Sequence, residues 1–313
     1  MFHRQHERLR VGVPQSLLYH RYGTLWTSFV EGLGHEAIVG PRSNMSLART
    51  GAALAPDETC LPFKLHLGHV AAIADRCDVV LAPRIASVRR GEENCVRFKV
   101  AYDAIANLLP NVRVETYTVD VGERVRERRE LVDLGRRLGA GTWRAHVSYE
   151  RARRRQRRHE RDTASVALDA LRAPGDGPRL LLVGHAYNVA DDLVGVPIVR
   201  MLTAMGARPI PADALVPATK RGAGNALSAS VYWTYSRELL AVIAQFAEEV
   251  DGIVFLMTFP CGPDSLVTDL AIRRLRHIPT LNLVLDDLDG LTGLQTRLES
   301  FVDIVAARSR AAV

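Results

Sequence analysis

RLLLVGHAYNVADDLVGVPIVRMLTAMGARPI, residues 179–210, reads as strand, loop, helix and strand. Its opening apolar run is short and has no polar face, the pattern of a strand covered on both sides. Residues 194–205 place apolar side chains at helical spacing, and 208–210 return to an extended run. Working outward, the sequence predicts strands at 252–258 and 280–285, with helices at 231–249, 265–275 and 291–306. Upstream it predicts strands at 9–14, 35–39, 78–83 and 112–119. Helices are expected at 22–33, 46–55 and 100–108, with an apolar helix face at 70–74. Pro83 is expected to end its strand because it cannot donate to a ladder. Short apolar strands separated by helices predict an α/β fold with two Rossmann-like or flavodoxin-like lobes built on parallel sheets.

Between the two series lies a long basic interval, 123–171, that reads as helix and is closed by GDGP at 175–178. The expected division is therefore 1–172, an N-terminal lobe with an Arg-rich helical extension, and 173–313, a C-terminal lobe. A chain of 313 residues has length for two cores. Its 47% hydrophobic and 24% charged residues argue against global disorder.

The net charge of +6 has an address. Residues 123–172 hold 15 Arg against 8 Asp and Glu, so the rest of the chain is nearly neutral. RARRRQRRHERD, 151–162, is attractive to phosphates, yet it has no interleaved aromatic residues, no zinc-finger spacing and no recognition module. A solvated helix face is the leading reading, an acidic protein partner the next, and specific nucleic acid is not expected. The missing bulky apolar stripe argues against a membrane surface. No apolar stretch reaches 18 residues, and MFHRQHERLRVGVP lacks the apolar core of a secretory signal, so a cytoplasmic location without transmembrane association is expected. Four scattered cysteines fit a reducing compartment better than a disulfide framework. No GxGxxG, GxxxxGK[ST] or GxSxG spacing occurs, and GAGNA at 222–226 has none of them. No intrinsic ATP or NAD site, and no hydrolase nucleophile elbow, is expected. A closed homodimer is the commonest oligomer for such a chain.

Three cysteines stand in loops suited to ligands. Cys60 lies in DETCLPFK (57–64), Cys95 in RRGEENCVRFK (89–99) beyond the strand ended by Pro83, and Cys261 in TFPCGPDS (258–265) beyond another strand. Loops past the carboxyl ends of strands are where α/β proteins bind ligands. Cys77, in DRCDVVLAP, immediately precedes a strand and reads as a buried structural thiol. Three thiolates suit an iron-sulfur centre with a fourth position for solvent or another ligand, and they suit tetrahedral zinc as well. His66 and His69 in FKLHLGHV, and His185 and Tyr187 in VGHAYN, are read either as ligand contacts or as satisfied core residues.

The blocks VGVPQSLLYHRYGTLWTSFVEGLG (11–34), DETCLPFKLHLGHV (57–70), DVVLAPRIASV (78–88), FPCGPDSLV (259–267) and GLTGLQTRLESFVDIV (290–305) occur in this order. In them the chain resembles the DUF2229 family, associated with acyl-CoA dehydratase activases within the wider 2-hydroxyacyl-CoA dehydratase group. The resemblance implies α/β lobes and a [4Fe-4S] cluster whose ligand role carries onto Cys60, Cys95 and Cys261. It also implies a separate ATP-dependent activase that supplies a low-potential electron, and an acyl-CoA substrate. The family commonly has Cys-Pro at the second ligand, where this chain has Cys95-Val96, and an acidic-acidic-His segment where it has DDLDGLTG (286–293) with Leu288 at the His position.

The favoured expectation is thus an iron-sulfur, low-potential redox or radical-enzyme component. The alternative is a cluster-free accessory or scaffold of the same fold. Glu58, Lys64, Tyr187 and Arg297 are candidates for the surrounding shell. Their structural alternatives are a helix-end charge, a solvated charge, core packing and a salt bridge in the terminal helix.

Overall fold

The computed structural model describes residues 8–220, 222–286 and 293–311. The chain opens with β1 (Arg10–Val13), α1 (Tyr19–Leu33), β2 (Glu36–Val39), α2 (Met45–Leu54), α3 (Leu61–Ile73), β3 (Val79–Leu81), β4 (Arg84–Ser87), α4 (Val96–Leu108), β5 (Val114–Glu115) and β6 (Thr118–Asp120). Then come α5 (Glu127–Arg137) and α6 (Thr142–Arg172). It continues with β7 (Arg179–Val183), α7 (Ala186–Val189), α8 (Gly195–Ala204), β8 (Arg208–Pro211), α9 (Ala212–Leu215), α10 (Thr234–Phe246), β9 (Gly252–Thr258), α11 (Gly262–Arg274), β10 (Thr280–Leu285) and α12 (Leu294–Ala311). By Cα packing the chain divides into two compact units. One holds residues up to 59 with 63–159, and the other holds 60–62 with residues from 160 onward.

Each unit is built on a four-stranded sheet whose paired neighbours all run parallel. The orders are β2-β1-β3-β5 and β10-β9-β7-β8. The fold is α/β with two parallel-sheet lobes, and the long helix α6 connects them in sequence. In both sheets the first strand of the unit is central. The chain lays its second strand on one side and then crosses back to the other. That reversal makes a switch point, between β1 and β3 in one sheet and between β7 and β9 in the other.

The central strands of the second unit show why their sequence reads as an unbroken apolar run. On β7, Leu181 and Val183 enter one core while Leu180 and Leu182 enter another. On β9, Ile253 and Phe255 face the first core and Val254 and Leu256 the second. Successive side chains of a strand point to opposite faces, so a strand covered on both sides must be apolar at every position. Helices α10 and α11 fill the first core through Leu240, Ile243, Phe246 and Val267, while α8 and α12 fill the second through Ile198, Leu202, Leu298 and Phe301.

Three local features depart from the expected elements. The strand expected at 112–119 is two strands, and Pro83 interrupts a run that resumes immediately as β4. The Arg84 N–H donates to the Tyr117 carbonyl, and β4 and β6 form a small parallel sheet of their own. The region around 70–74 is the end of a longer helix, α3, that begins at Leu61. The basic interval is two helices, separated at 138–141 where Gly139 takes a left-handed φ of 92°. Residues 291 and 292 of the expected helix at 291–306 lie outside the described residues, and the helix observed runs from Leu294 to Ala311.

Helix α6 explains the odd glutamine in RARRRQRRHERD. Ala152 and Gln156, one helical turn apart, are fully buried, while Arg151, Arg154 and Arg157 are exposed. The Gln156 amide brackets one turn of α1: its Oε1 accepts from the Leu25 N–H at 3.0 Å and its Nε2 donates to the Arg21 carbonyl at 2.8 Å. Arg153 meets Glu127 at 3.6 Å and Arg155 meets Glu31 at 4.0 Å, so some of the positive run answers acids of the same unit. Further along α6, Ala167 and Leu171 join the core of the second unit. No helix among the described residues is long and apolar enough to cross a membrane.

Because Leu256 is 1% exposed and Val284 on the edge strand β10 is 39% exposed, alanine at the two positions should behave differently. Leu256→Ala is expected to lower unfolding free energy by about 2–5 kcal/mol, and Val284→Ala by no more than about 0.5 kcal/mol, read from urea denaturation midpoints.

Candidate functional site

Three of the four cysteines occupy the same kind of position. Cys60 is the residue before α3, Cys95 is the N-cap of α4 and Cys261 is the N-cap of α11. All are half-buried, and none of the four cysteines is in a disulfide. A helix N-terminus presents unpaired backbone N–H groups and the positive end of the helix dipole, a setting that favours anionic sulfur.

Local chemistry puts each one there. Pro62 and Pro263 lie in the first turns of α3 and α11, where a missing N–H costs no hydrogen bond. Val96 holds the first position of α4, and the helix starts there without a proline. Asn94, 4% exposed, ties the Cys95 segment to the end of β4: its N–H donates to the Ala86 carbonyl at 2.8 Å and its Nδ2 to the Ile85 carbonyl at 3.2 Å. Helix α3 is fixed by a backbone-to-backbone crossing with α2. A Cβ on Gly51 would lie 1.7 Å from the Lys64 carbonyl oxygen, and one on Gly68 would lie 2.1 Å from that of Leu47. Only glycine allows that approach. Cys261 follows β9 through a cis Phe259–Pro260 peptide.

Cys77 is half-buried like the others rather than fully buried as its sequence context suggests, but its sulfur is engaged differently. Its thiol donates to the Ile73 carbonyl at 3.1 Å, and a Cβ on Gly12 of β1 would lie 2.8 Å from its sulfur. Burial pushes this thiol's pKa up, away from the reactive anionic form. It is a packing residue.

Cys60 and Cys261 belong to the second unit and Cys95 to the first. Among the described residues, no group of three or more His, Cys, Asp and Glu side chains is arranged to hold a metal ion. Glu58 is exposed, two residues before Cys60, in a turn with a left-handed φ of 59°. Lys64 is half-buried on α3. Tyr187 stacks on His185 with ring centroids 5.0 Å apart. Arg297 is exposed and donates to the Asn282 carbonyl of β10 at 2.7 Å. Leu288, at the position matching the family's histidine, lies outside the described residues.

The histidines that the sequence singles out fall into two kinds. His66 and His69 on α3 are buried, and each meets a serine beyond a strand end. Ser16 Oγ lies 2.8 Å from His66 Nδ1, and Ser43 Oγ lies 2.9 Å from His69 Nε2. Their other ring nitrogens, His66 Nε2 and His69 Nδ1, are buried without a hydrogen bond among the described residues. Burial, reinforced by neighbouring His69, pushes His66 down to about 3. Burial, reinforced by His20, pushes His69 down to about 4. Both are neutral core imidazoles at physiological pH.

His185 has a carboxylate instead. Its Nε2 lies 2.8 Å from Asp264 Oδ1, and both residues are 8% exposed. Sequence patterns do not single out Asp264. A pairing across 79 positions leaves no local trace, and only the aspartate's place in the first turn after a strand end hints at it.

Known proteins place the chain in context. Residues 10–215 match the family described as "CoA enzyme activase uncharacterised domain (DUF2229)". No curated protein matches the chain. Among solved structures, glucosamine-6-phosphate deaminase from Thermotoga maritima aligns at 10% identity, covering 96% of this chain and 85% of its own. Its TM-score is 0.23, too low to bear on fold or function.

The buried histidines make stability pH-dependent with a defined sign. The unfolded chain takes up these protons near pH 6.5, whereas the folded chain resists until about pH 4 for His69 and about pH 3 for His66. Their stabilisation is therefore complete above pH 6.5 and falls as pH drops below it. The loss at pH 4 is on the order of 3 kcal/mol per histidine. His66→Asn and His69→Gln each keep the nitrogen that faces serine. Thermal melts at pH 7 and pH 4.5 should show a smaller acid-induced drop in Tm for each variant than for the parent.

Proposed function

The chain belongs to the DUF2229 family, and from that premise we propose that Cys60, Cys95 and Cys261 together bind a [4Fe-4S] cluster. In this reading the protein is a low-potential redox or radical-enzyme component of a 2-hydroxyacyl-CoA dehydratase and activase system. The observation that carries the proposal is the shared position of these three sulfurs at helix N-termini, contrasted with the packed thiol of Cys77. The donor chemistry fits the group, since thiolates are the usual ligands of iron-sulfur clusters and helix N-termini favour them.

Such a cluster, when bound, supplies one-electron chemistry and an iron position not taken by cysteine. The chain's own residues would hold it through three thiolates, and backbone N–H groups of the first helical turns would donate toward the sulfurs. That donation stabilises negative charge and raises the reduction potential relative to an unassisted site. Glu58 and Lys64 flank Cys60 along the chain and are proposed as shell residues beside that sulfur. Tyr187 and Arg297 are proposed in the same role, in addition to the contacts they make with His185 and Asn282. With no phosphate-loop sequence, the electron would come from a separate ATP-dependent activase, and an acyl-CoA would be the substrate class.

Anaerobic purification and reconstitution tests the assignment. About four irons and four sulfides per chain are expected, lost in Cys60→Ala, Cys95→Ala or Cys261→Ala and kept in Cys77→Ala. Stoichiometric zinc would replace the cluster with a tetrahedral site. Folded protein that takes up no metal would make the chain a cluster-free accessory or scaffold.

A further inference from the structure

The second unit contains a His185–Asp264 pair that the cluster reading does not use, although Tyr187, proposed above for the cluster's shell, stacks on it. We propose that the carboxyl ends of β7 and β9 form a binding site for a small hydroxyl-bearing aromatic molecule, whose O–H donates to Nδ1 of His185.

Position is the first argument. The strand order of this sheet reverses between β7 and β9, and ligands of open α/β sheets bind in the crevice beyond the strand carboxyl ends at such a reversal. His185 is the second residue after β7. Asp264 lies in the first turn of α11, directly after β9. The hydrogen bond between them therefore spans the switch point.

Tautomer is the second. An ionised carboxylate only accepts, so the Asp264 contact at 2.8 Å puts the ring proton on Nε2 and leaves a lone pair on Nδ1. Nδ1 makes no hydrogen bond among the described residues, and it is not sealed from solvent even though His185 is 8% exposed. The site thus offers an oriented acceptor and selects a ligand that donates. A buried carboxylate holding an imidazole whose other nitrogen faces outward is the arrangement that orients acid–base histidines.

The surroundings argue for a ring. Tyr187 stacks on the imidazole at 5.0 Å, and Tyr235 meets it edge-on at 6.5 Å. The Tyr232–Trp233 pair, with centroids 4.4 Å apart, leads into the same helix as Tyr235. Polar atoms are left over in the same segments. Both amide atoms of Asn188, in the single turn that carries Tyr187, and the Oγ of Thr234, beside Tyr235, are buried without a hydrogen bond among the described residues. Fully buried polar groups are seldom left without a partner, and a bound molecule or water is the usual remedy.

The proposal is independent of metal, and its test uses the full chain both as purified and after iron reconstitution. Fluorine NMR titrations would compare 4-fluorophenol with 4-fluoroanisole, which differ in the hydroxyl proton. The phenol is expected to bind about tenfold tighter, the span of one directed hydrogen bond. His185→Phe, checked for an unchanged Tm, should bind the two alike. Asp264→Asn should narrow the preference, because an amide can donate to Nε2 and move the ring proton to Nδ1. Equal affinities in the parent chain, or a preference that survives in His185→Phe, would overturn the proposal. The parent comparison stands even if the variants do not fold.

Discussion

A parallel sheet covered by helices on both faces has little freedom about where chemistry can occur. Its strands are sealed above and below, and every crossover returns through a helix, so polar side chains accumulate in the turns past the strand carboxyl ends. Both units obey this constraint with the same strand order, 2-1-3-4 in chain sequence. In the first, Ser16, Ser43 and the Cys95 segment follow β1, β2 and β4. In the second, His185 follows β7, and Cys261 and Asp264 follow β9. The candidates for chemistry are distributed by topology before any one of them is considered as a ligand or base.

Those turns also begin helices, and that gives them their electrostatics. Cys95 and Cys261 cap helices without bonding a side chain back to the first turn. The backbone N–H groups at such helix starts suit an anion, and a thiolate near them is better solvated than in a sheet interior. Cys77 shows the other outcome for the same residue type. It precedes β3, bonds a carbonyl through its thiol and fills the space that Gly12 leaves. The family match covers residues 10–215 and so includes Cys60 and Cys95 but not Cys261, and the proposed cluster rests on the contrast between the helix-start cysteines and Cys77.

The sequence is legible where one physical pattern dominates. Runs such as RLLLV and GIVFLMT have no polar face, and they are the strands buried on both sides. Legibility fails where two patterns overlap. Pro83 ends β3, but β4 resumes at the next residue and pairs in another sheet, an outcome set by the partner strand β6 rather than by residues 84–87. In the basic interval, Gly139 and Gly141 separate α5 from α6 within a sequence whose arginines suit a helix throughout. For the sites, Cys-x-Pro at 60–62 and 261–263 carries the helix-start signal in one dimension, since proline favours a first turn. Cys95 has no such mark and is fixed by Asn94 reaching back to β4. The Asp264 partner of His185 depends on two strands lying side by side, which no local window contains.

The same three-dimensional dependence separates histidines that look alike in sequence. FKLHLGHV and VGHAYN each place histidine near a strand end or on the helix that covers it. What differs is the partner. A serine hydroxyl offers no charge to offset a proton, so burial governs His66 and His69, and their imidazoles act as apolar fillers with one satisfied nitrogen. A carboxylate oxygen that accepts from Nε2 fixes the tautomer, so His185 keeps a lone pair on Nδ1 and its ring is oriented by Asp264. Burial is nearly equal for His66 and His185, at 6% and 8% exposure. Exposure alone would therefore class them together, and it is the atom across the hydrogen bond that makes one a structural residue and the other a candidate for chemistry.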